Sequence, residues 1–159
     1  MRRLAILFAA ALAAAAARAD ALPKTGAVKH AAYTVCRQAV AVDLGEVGSD
    51  SAADCTGIVK TTDGSKPLDN LSLRCLEASV ARKAGYKFTG SCVETDGDGD
   101  KLYLTYEGPE DGPLTVLGGT GKFKGIQGAG HWRVTDAPGN TANLFAFTLD
   151  YQFDWKFGE

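Results

Sequence analysis

The alternation of apolar and polar residues is clearest at the end of the chain. From Phe145 the odd positions read Phe145, Phe147, Leu149, Tyr151, Phe153, Trp155 and Phe157, and the even ones Ala146, Thr148, Asp150, Gln152, Asp154 and Lys156. A period of two predicts a strand with one apolar and one polar face. At about 3.3 Å per residue the run would reach roughly 40 Å, longer than an ordinary strand, so a bend or a bulge is expected in it. Shorter strand signals precede it at residues 32–36, 39–42, 57–60, 71–76, 86–93 and 102–106. Turns are signalled by Thr62-Asp63-Gly64-Ser65, by the run Asp96-Gly97-Asp98-Gly99-Asp100, and by the Gly- and Pro-rich residues 108–113. Residues 45–53 read as a loop of small residues, and 77–83 fit either one helical turn or a bulged continuation of a strand. No segment after the N-terminus repeats with the 3.6-residue period of an amphipathic helix. About eight short strands without a linker predict one all-β domain, an antiparallel barrel or sandwich; closure into a barrel removes exposed edges.

The first nineteen residues differ in kind. Arg2 and Arg3 precede an alanine-dominated apolar run from Leu4 to Ala17, and Ala17-Arg18-Ala19 has the small-x-small form of a signal-peptidase site. The run is shorter than the ~20 residues needed to cross a bilayer. Residues 1–19 are therefore expected to be a signal peptide and 20–159 the mature domain, exported to the periplasm or the extracellular space. Of the 17 basic and 19 acidic residues in the chain, 14 and 19 remain after that cut. A mildly acidic domain without a basic block speaks against nucleic acid, and against a membrane surface for the mature form. Export also gives the four cysteines a meaning. None forms a C-x-x-C pair and the chain has two histidines, so two disulfides are expected rather than a zinc site. Three connectivities exist; pairing on successive strands favours Cys36–Cys55 and Cys75–Cys92.

Residues 116–134 hold six glycines. They match neither a phosphate loop, because Gly121-Lys122 is followed by Phe123, nor a dinucleotide fingerprint, because the spacing fails and no helix follows. No cofactor is expected. Gly118, Gly119 and Gly121 suit a tight turn with positive φ, and Gly125, Gly128 and Gly130 suit a strongly coiled barrel strand. The run Gly118-Gly119-Thr120-Gly121-Lys122-Phe123, followed by Gly125, Gly128 and a strand, resembles the signature of the allene oxide cyclase and dirigent families. Asp69-Asn70 before Cys75, and Gly90-Ser91-Cys92 before Asp98-Gly99-Asp100, are similar to bacterial secreted members with an allene-oxide-cyclase-type barrel. The resemblance covers residues 69 to the C-terminus and implies an eight-stranded, calycin-like antiparallel barrel and a homo-oligomer, dimer or trimer. It implies no catalytic set here. Glu107 and, by residue type only, Asp150, Asp154 and Arg133 are what the sequence offers against the glutamate of the cyclases and the aspartates and arginine of the dirigents.

Three groups of residues remain as candidate sites. Asp96, Asp98, Asp100 and Glu107 have the 1-3-5-12 spacing of a calcium loop, but Lys101 stands where glycine belongs and a strand follows instead of a helix. A solvated hairpin turn is the preferred reading, with calcium as the alternative. His131 and Arg133 share one face of a strand, where they would hold an anionic head group at a barrel mouth or, as alternate polar positions usually do, face water while Trp132 enters the core. Trp132, Tyr106, Phe147 and Tyr151 would line a lumen. No nucleophile elbow is present, and His30 stands close to the mature N-terminus, which argues against a hydrolase. The expected function is the binding of a small apolar or amphiphilic molecule inside the barrel. The alternatives are an isomerase or cyclase that steers a reactive substrate, and a non-catalytic oligomeric structural protein. A perturbed carboxyl group inside the lumen would favour the enzyme.

Overall fold

The computed structural model describes residues 22–66, 68–138, 141 and 143–158. The expected signal peptide, 1–19, lies outside the described residues. Eight strands follow in order: β1 (Thr25–Asp43), β2 (Gly48–Thr61), β3 (Leu71–Arg82), β4 (Gly85–Thr95), β5 (Lys101–Gly108), β6 (Asp111–Gly119), β7 (Ile126–Asp136) and β8 (Leu144–Phe157). Each pairs antiparallel with the next, and β8 returns to β1 to close the barrel. The all-β, antiparallel, disulfide-linked barrel expected from the sequence is therefore present.

Four local expectations are corrected. The separate strands 32–36 and 39–42 are one strand, β1, which absorbs an extra residue as a bulge between Gln38 and Val40. The loop expected at 45–53 is mostly strand. Only Gly45–Val47 turn, and Gly48 to Ala53 pair with β1 on one side and β3 on the other, so two ladders override a weak strand propensity. Residues 77–82 continue β3 in unbroken register to the Arg82–Gly85 pair, with neither helix nor bulge. The long last strand runs against β1 without interruption from Lys156 to Leu144; the irregularity lies in its other neighbour, β7, between Val134 and Asp136.

The glycine-rich segment is explained by close contacts. Gly121 has φ +52°, and a Cβ there would meet the Asp100 carboxylate at 1.7 Å. A Cβ on Gly130 would fall 1.8 Å from the Gln152 carbonyl, so the bare backbone lets β7 approach β8. In the same segment Thr120 accepts the Lys101 N–H at 2.9 Å and Phe123 is fully buried. With Leu22, Leu68, Ile126 and Trp155, Phe123 plugs one end of the barrel. The opposite end is ringed by the half-buried Phe88, Tyr106, Val134, Phe145 and Phe147.

Both disulfides, Cys36–Cys55 and Cys75–Cys92, point into the core. The four cysteines stand in one row across β1 to β4, because Cys36 is opposite Cys55, Cys55 opposite Cys75, and Cys75 opposite Cys92. Replacing Cys75 and Cys92 together by alanine opens a link between residues 17 apart in sequence. The double variant is expected to lose about 2–4 kcal/mol of stability in guanidinium unfolding, with the native far-UV spectrum retained.

Candidate functional site

Four polar side chains are buried among the described residues: His30, Thr34, Glu77 and Glu94. Strand parity puts all four inside. His30 and Thr34 share the inward face of β1 with Val28, Ala32 and Cys36; Glu77 lies two residues beyond Cys75 on β3, and Glu94 two beyond Cys92 on β4. Because β3 and β4 run in opposite directions, the glutamates fall on either side of the Cys75–Cys92 bridge. Glu77 lies towards the open end and Glu94 towards the plugged one.

Each glutamate is held by a tyrosine. The Tyr151 hydroxyl of β8 donates to Glu94 Oε1 across the full width of the barrel, since β4 and β8 stand opposite each other in an eight-stranded ring. The Tyr106 hydroxyl of β5 donates to Glu77 Oε2 of β3 at 2.6 Å. It reaches over β4 because the residue between them is Gly90, where a Cβ would sit 2.2 Å from the Tyr106 ring. Among the described residues neither carboxyl meets a cation. Burial pushes Glu94 up to about 7 against the opposing pull of the Tyr151 hydrogen bond, and burial likewise raises Glu77 against Tyr106. His30 packs tilted against Tyr151 with ring centroids 4.8 Å apart, and its Nε2 bonds the Leu68 carbonyl at 3.0 Å. Burial lowers its pKa to about 4, so the ring is neutral at pH 7.

The space left among these groups is a cavity of about 30 Å³ lined by Thr34, Glu94, Tyr106, Trp132, Phe147 and Tyr151, with Leu73, Leu104, Leu114, Leu149 and the Cys75–Cys92 bridge completing its wall. That is room for one or two waters, well below the few hundred Å³ of a typical ligand pocket. Two buried polar atoms on this wall, Thr34 Oγ1 and Glu94 Oε2, have no hydrogen-bond partner. A buried acceptor or donor without a partner costs roughly 1–3 kcal/mol, so this corner favours a water or a ligand oxygen. In chemical terms it is a carboxyl group that keeps its proton well above the usual carboxylate range, and a hydroxyl, facing an otherwise apolar space.

Of the residues singled out from sequence, Trp132, Tyr106, Phe147 and Tyr151 all lie on the cavity wall. His131 and Arg133 do not; both are exposed outside the barrel while Trp132 is buried, as the water-facing reading expects, and Arg133 approaches Asp150 at 3.5 Å. Asp154 is also outside, and Glu107 is exposed and paired with Lys87 at 2.6 Å. In the acidic turn the carboxylates have partners within the chain. Asp96 accepts the N–H groups of Asp98 and Asp100, and Lys122 supplies the positive charge, 2.6 Å from Asp96 and 3.0 Å from Asp98. Among the described residues no cluster of three or more His, Cys, Asp or Glu suits a metal ion.

Glu94 and His30 give opposite pH dependences. Glu94 binds its proton more tightly folded than unfolded, so its contribution is lost as pH rises from about 4.5 to about 7. His30 binds its proton less tightly folded, so stability is lost as pH falls from about 6.5 to about 4. Each swing amounts to about 3 kcal/mol, and they largely cancel between pH 4.5 and 6.5. Glu94→Gln is expected to leave the His30 slope uncovered and to be about 3 kcal/mol more stable than wild type at pH 8. His30→Asn is expected to leave the opposite slope. Guanidinium unfolding at a series of pH values measures both.

Comparison with known proteins bears on the fold alone. No protein-family profile matches the chain, and no curated protein is similar to it in sequence. Among solved structures, the pterocarpan synthase dirigent protein PsPTS1 superposes with a TM-score of 0.57 at 10% identity, over 86% of this chain and 97% of that one. The pterocarpan synthase dirigent protein GePTS1 superposes with a TM-score of 0.52 at 14% identity, over 86% and 94% of the two chains. The closed eight-stranded barrel is thus of the dirigent type in architecture.

Proposed function

We propose that this is an exported barrel that takes a small, largely apolar molecule at its open end and rearranges it by proton transfer at Glu94. One observation carries the reading: a carboxyl group inside the lumen, without a cation, presents an unpartnered oxygen to an apolar cavity. Two disulfides support export to an oxidising compartment. The likeness to dirigent proteins, two of them pterocarpan synthases, supports the steering of a reactive substrate over hydrolysis.

The chemistry follows from the groups present. Neutral Glu94 donates a proton from Oε2 to a substrate oxygen on which negative charge develops, and Thr34 gives that oxygen a second hydrogen bond. The resulting carboxylate, still held by Tyr151, takes a proton back from the rearranged substrate, so no cosubstrate is required. A pKa near 7 suits both directions of transfer. The apolar wall excludes water from the reacting centre. Because the cavity is small, only an oxygen-bearing end of the molecule reaches Glu94, while its body rests among the half-buried Phe145, Phe147 and Leu149.

Native mass spectrometry of wild type and Glu94→Gln from the exported fraction tests this. Wild type is expected to carry a small molecule released by gentle activation, and Glu94→Gln an isomer of it, with the same formula and a different fragmentation pattern. The same molecule in both would reduce the role to binding, and two empty proteins would remove binding as well.

A further inference from the structure

The proposed site also has a sign of charge. Among the described residues its buried polar side chains are two carboxyl groups, a threonine and a neutral histidine, with no lysine or arginine among them. An anionic ligand would enter apolar surroundings without a counter-charge, at a large desolvation cost. The open end has the reverse character. Glu77, with no ion pair among the described residues, accepts from the hydroxyl of Tyr106, whose ring belongs to a three-ring cluster: Phe88 and Trp132 at 5.0 Å, Tyr106 and Trp132 at 5.1 Å, and Phe88 edge-on to Tyr106 at 6.3 Å. A carboxyl beside aromatic faces is the combination that recognises an organic ammonium group.

We infer that the ligand is an amine, with its ammonium group at Glu77 and the faces of Phe88 and Tyr106, and its apolar body directed towards the cavity under Trp132. Gly90 is the residue that permits this corner. A side chain there would displace the Tyr106 ring that orients the Glu77 carboxyl. Glu77 is thus the specificity-determining residue for charge, separate from Glu94, which acts on the other end of the molecule. The inference rests on the proposed lumen binding and adds to it the charge of the ligand.

Three probes of nearly equal shape decide it: 2-phenylethylammonium, 2-phenylethanol and phenylacetate, each titrated into the full folded chain and followed by the Trp132 indole resonance. The ammonium is expected to bind about tenfold more tightly than the alcohol, and phenylacetate most weakly. In Glu77→Gln the ammonium's advantage over the alcohol is expected to vanish while the alcohol's affinity stays the same. Equal affinities, tightest binding by phenylacetate, or an advantage that persists in Glu77→Gln would overturn the inference and leave lumen binding standing. Failure of all three probes to bind would overturn both. The wild-type series alone is decisive should the variant not fold.

Discussion

The row of cysteines is the constraint from which the interior follows. In a closed barrel each side chain points in or out by parity, and a shift of one residue would exchange the two faces of a strand. Two disulfides joining directly opposed inward positions hold β1 to β2 and β3 to β4 in one register. Once Cys75 and Cys92 face inward, Glu77 and Glu94 must do so as well, although no residue is costlier to bury than an unpaired acid. The polar centre is therefore built beside a disulfide of the sheet, which suits a group whose position matters.

What makes these acids useful is the dryness of their surroundings. The plug of Leu68, Phe123, Ile126 and Trp155 closes the barrel behind Glu94, and aromatic and leucine side chains fill the space around it. Solvation is lost on all sides, and the single Tyr151 hydrogen bond does not replace it, so the carboxyl keeps its proton well above the usual carboxylate range. His30 pays the same penalty in the opposite sense and stays neutral. The result is a lumen whose histidine is uncharged at pH 7 and whose Glu94 still holds a transferable proton.

Much of the fold was legible in the sequence, because parity and turn chemistry are local. The alternation from Phe145, the turn glycines and the pairing of cysteines on successive strands all led to the barrel. The small-residue run 48–53 was misread because its strand character comes from two neighbouring ladders, which local propensity does not register. The site was less legible. Trp132, Tyr106, Phe147 and Tyr151 stand out in the sequence as aromatic residues, whereas Glu77 and Glu94 carry no motif that singles them out and His30 lies near the mature N-terminus. The signal for the glutamates was present as a Cys-x-Glu spacing on each of two strands joined by a disulfide; it becomes readable once the bridged cysteines are known to face inward. His30 was hidden by its nearness to the N-terminus, and continuing the inward alternation back from Cys36 through Thr34 and Ala32 would have found it.

The protonation state of Glu94 tests the account most directly. Carbon-13 NMR of the side-chain carboxyl, assigned by its absence in Glu94→Gln, would follow the group through pH. The account predicts a midpoint near 7, with a carboxylic acid at pH 5.5. A midpoint near the ordinary glutamate value, with an ionised carboxylate at pH 5.5, would contradict it and leave the barrel with a solvated interior and no proton to transfer.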